Sequence, residues 1–146
     1  SRVEKVMTAG EKVLYRILDA NYNRSKEALR VVEDLLRFSS SPKALLEPWK
    51  QIRHSLTKII LLLPVNFKAM IACRDIEKDH GKTLGIRDKK GKLHLQDILF
   101  ANIQRAEESL RVLEECVKPI KPECSDALMR LRFKVYELEK KIAQSI

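Results

Sequence analysis

The chain has 146 residues, 45% of them apolar and 34% charged, with four glycines and five prolines. That length supports one hydrophobic core, and that composition excludes collagen-like repeats and low-complexity disorder. The 29 Lys and Arg against 20 Asp and Glu leave a net charge of +9, which favours anionic partners such as nucleic acid, an acidic membrane surface or phosphorylated small molecules. Aromatic residues are few and the basic residues are dispersed, which argues against a nucleic-acid binder.

Apolar residues recur with helical spacing and no alternating strand pattern competes, so an all-α fold is predicted. The first helix is expected from about Glu11 to Phe38, ended by Ser39-Ser40-Ser41-Pro42. Pro48 is placed to open the second, which ends near Leu63. Pro64 starts a short third helix through about Ala72. Residues 73–94 change character, with three glycines, many charges and little periodicity, as in a long loop that is either functional or disordered. The fourth helix runs from about Leu95 to Lys118. Pro119 and Pro122 break it, and residues 123–145 form the last helix, with Glu123 or Ser125 near its cap. The apolar run from Ile59 to Leu63 is too short to span a bilayer, so no membrane association is expected. Cys73, Cys116 and Cys124 are odd in number and lack a Cys-x-x-Cys spacing, which suits reduced thiols in a cytoplasmic protein.

The chain also repeats itself. Residues 17–38 and 98–119 share ten identities over 22 positions at an offset of 81. The polar members are Asn21/Asn102, Arg24/Arg105, Glu27/Glu108, Arg30/Arg111 and Glu33/Glu114. Core packing would repeat only the apolar residues, so a polar arrangement is being held twice. Ile52-Arg53 matches Leu131-Arg132 in the following helices. A bundle of two pseudo-two-fold-related helix hairpins is predicted within a single domain, 1–146. It has four long helices, one short one and an inserted loop, with repeats about 11–63 and 95–145. Such symmetry is also compatible with a homo-oligomer.

At roughly 100° per residue, Asn21 and Arg24 fall inside the apolar stripe of Ile17, Ala28, Val31 and Leu35, and Asn102 and Arg105 do the same in their helix. Glu27 lies at the edge. Arg30, Glu33, Arg111 and Glu114 face away, as surface pairs or as sites for Mg²⁺ or a base. Inward arginines need acidic partners or an anionic ligand. Both readings stand at this point: satisfaction by Glu27 and Glu108, or a cradle for phosphate oxygens, which the guanidinium fork suits. Arg74, Asp75, His80 and Gly81-Lys82-Thr83 gather in the loop. A P-loop fails, because its first glycine would be Ile76. A di-iron bundle fails too, because Arg30 and Arg111 stand where Glu-x-x-His needs histidine.

The runs ILDANYNRSKEALRVVEDLLRF, RDIEKDHGKTL and LQDILFANIQRAEESLRVLEE resemble a compact all-α domain of thiamine biosynthesis. This domain occurs alone or fused ahead of thiamine-phosphate synthase, and is similar to a hydroxymethylpyrimidine-phosphate kinase. The resemblance implies ATP- and Mg²⁺-dependent phosphorylation of 4-amino-5-hydroxymethyl-2-methylpyrimidine phosphate to its diphosphate. It points to Asn21, Arg24, Glu27, Arg30, Glu33, Arg74, Asp75, Gly81, Asn102, Arg105, Glu108, Arg111 and Glu114 as site positions. Phosphoryl transfer needs positioning and charge neutralisation, so Arg24, Arg74 and Arg105 are expected to hold and neutralise phosphates, Asp75 with Glu27 or Glu108 to bind Mg²⁺, and Asn21, Arg30, Gly81, Thr83, Asn102 and Arg111 to contact substrate. The family pattern tends to Gly-Thr where this chain has Gly81-Lys82-Thr83. The competing expectation is a basic helical module that binds nucleic acid or a protein partner without catalysis.

Overall fold

The computed structural model describes residues 6–75 and 94–146. They form five helices and, among the described residues, no strand: α1 (Ala9–Phe38), α2 (Lys43–Leu61), α3 (Phe67–Ala72), α4 (Leu95–Val117) and α5 (Pro122–Ser145). The predicted all-α class is what the structure shows.

Local chemistry sets most of the boundaries. Thr8 caps α1 by accepting from the Glu11 amide at 3.1 Å, and Ser40 leaves the helix in the left-handed region at φ 58°. Two expected starts differ. Pro48 lies inside α2, which begins at Lys43. The cost is the one bond that residue 48 cannot make to Ala44. Half-buried Leu45 and Leu46 dock the extra turn, and Ala44 is exposed, so water can take its carbonyl. The third helix begins at Phe67 rather than Pro64, because Asn66 supplies the cap, its Oδ1 accepting from the Ala69 amide at 3.2 Å. Pro122 opens α5 at its first position, where its missing N–H costs nothing. Ser125 does not cap that helix. Its hydroxyl donates to the Glu114 carbonyl at 2.9 Å and ties the second hairpin together.

The helices form a ring. α1 packs on α2, α4 on α5, α1 on α4 and α2 on α5, with α3 laid on α1. The largest interface is α1 against α4. There Ser25 and Ser109 are fully or nearly fully buried and their hydroxyls share a 2.7 Å hydrogen bond. The repeat counterpart of Ser25 is Ala106, and that of Ser109 is Ala28. Both alanines are buried as well. Four small side chains therefore let the two helix backbones approach about the pseudo-two-fold axis. Trp49, Leu56, Ile103, Leu110, Leu128 and Val135 fill the core around them.

Glu33 and Glu114 do not face solvent. Both are buried, and each takes a two-pronged bond from the next helix of its own hairpin. Arg53 Nε and Nη2 donate to Glu33 at 2.7 and 3.1 Å, and Arg132 makes the same fork to Glu114. A wheel drawn around a single stripe misplaces them because each bundle helix has two neighbours, so its covered sector is wider than one stripe. Arg24 and Arg105 err the other way. Both are exposed: they lie toward the partner helix, but on the side where α1 and α4 part into an open cleft.

Removing one partner of a buried fork leaves an uncompensated charge. Glu114→Ala is expected to cost about 3–5 kcal/mol in urea unfolding, far more than Glu115→Ala, whose carboxylate meets Lys118 and Arg111 at the surface. A second prediction concerns Glu107, which is buried between α4 and α5. Burial first, then a hydrogen bond with Glu139 and its charge, pushes the Glu107 carboxyl from 4.5 up to about 8, against a smaller opposing pull from Arg132. Between those values the folded chain keeps a proton that the unfolded chain has lost, so stability falls as pH rises through that window. Glu107→Gln should therefore melt above the wild type at about pH 9, with the gap closing toward about pH 5.

Candidate active site

The cleft between α1 and α4 has a volume of about 600 Å³. Its lining consists of five residue pairs, each separated by the repeat offset: Asn21/Asn102, Arg24/Arg105, Glu27/Glu108, Ala28/Ser109 and Val31/Val112. The cleft therefore sits on the pseudo-two-fold axis. Apart from Arg30 and Arg111, which stay at the surface, the polar residues that the sequence says twice divide into two groups. Glu33 and Glu114 hold the hairpins together, while the Asn, Arg and inner Glu pairs open onto one space.

Each asparagine is engaged in the same way. Asn21 Nδ2 donates to the Ile17 carbonyl at 2.9 Å, and Asn102 Nδ2 to the Ile98 carbonyl at 2.8 Å. Their Oδ1 atoms then accept from Arg24 Nη1 and Arg105 Nη1, both at 3.5 Å. Buried amides clipped to their own helices thus steer two solvated guanidiniums, and the remaining guanidinium donors are open to an oxyanion. Neither arginine forms an ion pair among the described residues, so satisfaction by Glu27 and Glu108 is not the arrangement observed. Glu108 instead accepts from Gln104 at 3.0 Å.

A second cleft of about 470 Å³ opens beside the first half and shares Asn21 and Arg24 with it. Arg74 and Asp75 line it, carried there by the segment after α3. Arg74 is held by Asp19 through two bonds, Nε to Oδ2 at 2.5 Å and Nη2 to Oδ1 at 2.8 Å. The hydrogen bond that Arg74 donates to Asp19, and then the Asp19 charge, raise the Arg74 guanidinium further above its already high range. Asn23 steadies the same carboxylate at 3.3 Å. Sequence reasoning missed Asp19 and Arg16, which also lines this cleft. Their signal is where the repeat breaks: Phe100 and Asp97 occupy the corresponding positions.

Other expected site residues stay apart. Arg30 and Arg111 are exposed and line neither cleft; Arg111 reaches Glu115 at 3.4 Å and Glu114 at 4.0 Å. Gly81 and Thr83 lie outside the described residues, as does His80. Among the described residues no three acidic, His or Cys side chains converge as a metal cage. Mg²⁺ rarely uses one; it binds one or two carboxylates together with substrate phosphates. Two Arg and two Glu leave the cleft formally neutral, so phosphates entering it would need an added cation beside the carboxylates. The donor set of Glu27 and Glu108 fits such an ion.

The fold and the cleft define a class: a two-fold-repeated helical bundle with a pair of amide-steered arginines facing a shared recess. The chain belongs to the ThiD2 family, whose model matches residues 16–141. It is 36% identical over 129 residues to a thiamine-phosphate synthase of Gloeobacter violaceus, covering 88% of this chain and 36% of the relative. Over 131 residues it is 37% identical to that of Synechocystis, covering 90% and 36%. Over 139 residues it is 32% identical to that of Rhodopirellula baltica, covering 92% and 36%. The chain thus spans about a third of the length of the curated relatives it matches. No solved structure matches it. The thiamine-biosynthetic resemblance carried by the repeated motifs agrees with these relatives' names. Among the described residues no helix is long and apolar enough to cross a membrane.

Two equivalent guanidiniums on one recess predict anion binding that depends on both. Calorimetry with pyrophosphate should show one site per chain, weakened about tenfold or more by Arg24→Ala or Arg105→Ala, with the helical circular-dichroism signal unchanged.

Proposed function

We propose that this chain catalyses transfer of the γ-phosphoryl group of ATP onto 4-amino-5-hydroxymethyl-2-methylpyrimidine phosphate, giving the diphosphate. The observation that carries this is the symmetric cleft. In this reaction donor and acceptor both present a phosphate to the reacting centre, and two equal Asn-Arg-Glu sets are what such a pair of ends requires. Membership of the ThiD2 family and likeness to a third of several thiamine-phosphate synthases support the thiamine context.

The chemistry asks mainly for positioning and charge neutralisation. A lone pair on an acceptor phosphate oxygen attacks the γ-phosphorus. The bond from that phosphorus to the β-bridging oxygen breaks, its electron pair leaves with ADP, and a P–O–P link forms on the acceptor. A phosphate monoester is mostly dianionic at neutral pH, its second pKa being about 6, so no strong base is needed. Arg24 and Arg105 each hold one phosphate and draw off the charge that spreads over the transferred group. Asn21 and Asn102 keep the guanidiniums aimed. Glu27 and Glu108 would hold Mg²⁺, which would supply charge neutralisation for the phosphate oxygens.

The binding-module alternative is less well served by the cleft. Its two carboxylates would repel a nucleic-acid backbone unless a cation intervened.

The test is direct. With ATP and Mg²⁺, product mass should show diphosphate from the pyrimidine monophosphate and none from the free alcohol, which lacks the anchoring phosphate. Arg24→Ala and Arg105→Ala should each lower kcat about a hundredfold or more. Wild-type turnover in both variants would remove the proposal.

A further inference from the structure

The symmetric cleft does not itself say which half takes the nucleotide. The broken symmetry beside it does, given the kinase reading on which this inference rests. We propose that the polyphosphate chain of the nucleoside triphosphate lies along α1, in the second cleft, with Arg16 as a phosphate-binding residue beside Arg24.

Three observations converge. First, Arg16 is exposed, lines the cleft that shares Arg24, and forms no hydrogen bond or ion pair among the described residues. Arg74, by contrast, has its Nε and one Nη committed to Asp19. Arg16 and Arg24 are eight residues apart, about 12 Å along the helix axis. A row of phosphates fits that spacing better than a single one.

Second, the charge reverses in the other half. The repeat counterpart of Arg16 is Asp97, whose carboxylate accepts from the His94 amide at 3.1 Å and so closes the start of α4. The counterpart of Asp19 is Phe100, a half-buried aromatic. The α1 half thus offers an unspent cation where the α4 half offers an acid, and Phe100 packs against the core and lines neither cleft. A highly charged polyphosphate is favoured on the first half, and the less charged monophosphate on the second.

Third, space agrees. The second cleft, at about 470 Å³, adds to the shared one a volume within the ordinary range for small-molecule sites, roughly 300–1,000 Å³.

The experiment combines steady-state kinetics with calorimetry on Arg16→Ala and Arg16→Lys. Arg16→Ala is expected to raise KM for ATP about tenfold, with KM for the pyrimidine monophosphate unchanged. It should weaken binding of the non-hydrolysable β,γ-imido analogue of ATP by a similar factor, and Arg16→Lys should recover part of both losses. Because Arg16 is exposed, both variants should keep the wild-type circular-dichroism spectrum. A rise in KM for the pyrimidine instead, or no change in either KM, overturns the assignment while leaving the kinase reading intact. A wild type that transfers no phosphate overturns the kinase reading. The analogue calorimetry then still decides the subsite: loss of binding in Arg16→Ala supports it, and equal binding rejects it.

Discussion

The close approach of α1 and α4 through Ser25, Ala28, Ala106 and Ser109 is the constraint on which the rest of this structure depends. Small side chains at these four positions bring the helices together at the pseudo-two-fold axis. Ala28 and Ser109 also floor the cleft, so the contact that joins the halves is the base of the site. A larger residue there would push the helices apart and carry the two arginines away from one another. Packing and site geometry are therefore set by the same residues.

Two forked ion pairs, one buried and one part-buried, act within the hairpins. Glu33 with Arg53 and Glu114 with Arg132 lock each hairpin internally, leaving the interface between hairpins to the small residues and the apolar core. Such pairs are weak evidence for net stability, although removing one partner of a buried pair is costly. Apart from the exposed pair Arg30 and Arg111, the repeated polar residues thus divide into a structural set on the hairpin side of each helix and a chemical set on the cleft side. The cleft arginines stay solvated and steered rather than buried and neutralised, which leaves them free for a ligand.

Much of this was legible in the sequence. The offset of 81 located the two halves and named Asn21, Arg24, Glu27 and their counterparts as one polar set. Helical periodicity identified the four long helices. What periodicity could not show is which neighbour a helix faces. A single apolar stripe therefore puts Glu33 and Glu114 on the solvent side and Arg24 and Arg105 inside, the reverse of the observed arrangement. Pro48 misled because a mid-helix proline costs one hydrogen bond, which docking of Leu45 and Leu46 offsets. The repeat does not mark Asp19 and Arg16, because they stand where the two halves differ. The partner of Asp19 lies 55 positions away, at Arg74, a pairing that local pattern does not reveal.

The central claim is that two equivalent half-sites form a single reaction centre rather than two separate ligand sites. The most direct measurement is calorimetric titration of the protein, with Mg²⁺, by a bisubstrate analogue that links the pyrimidine to adenosine through a chain of phosphates. One molecule per chain, bound far more tightly than either substrate alone, is the predicted result, since one ligand would engage Arg24 and Arg105 together. Two independent weak sites per chain, or affinity no better than that of ATP alone, would contradict it.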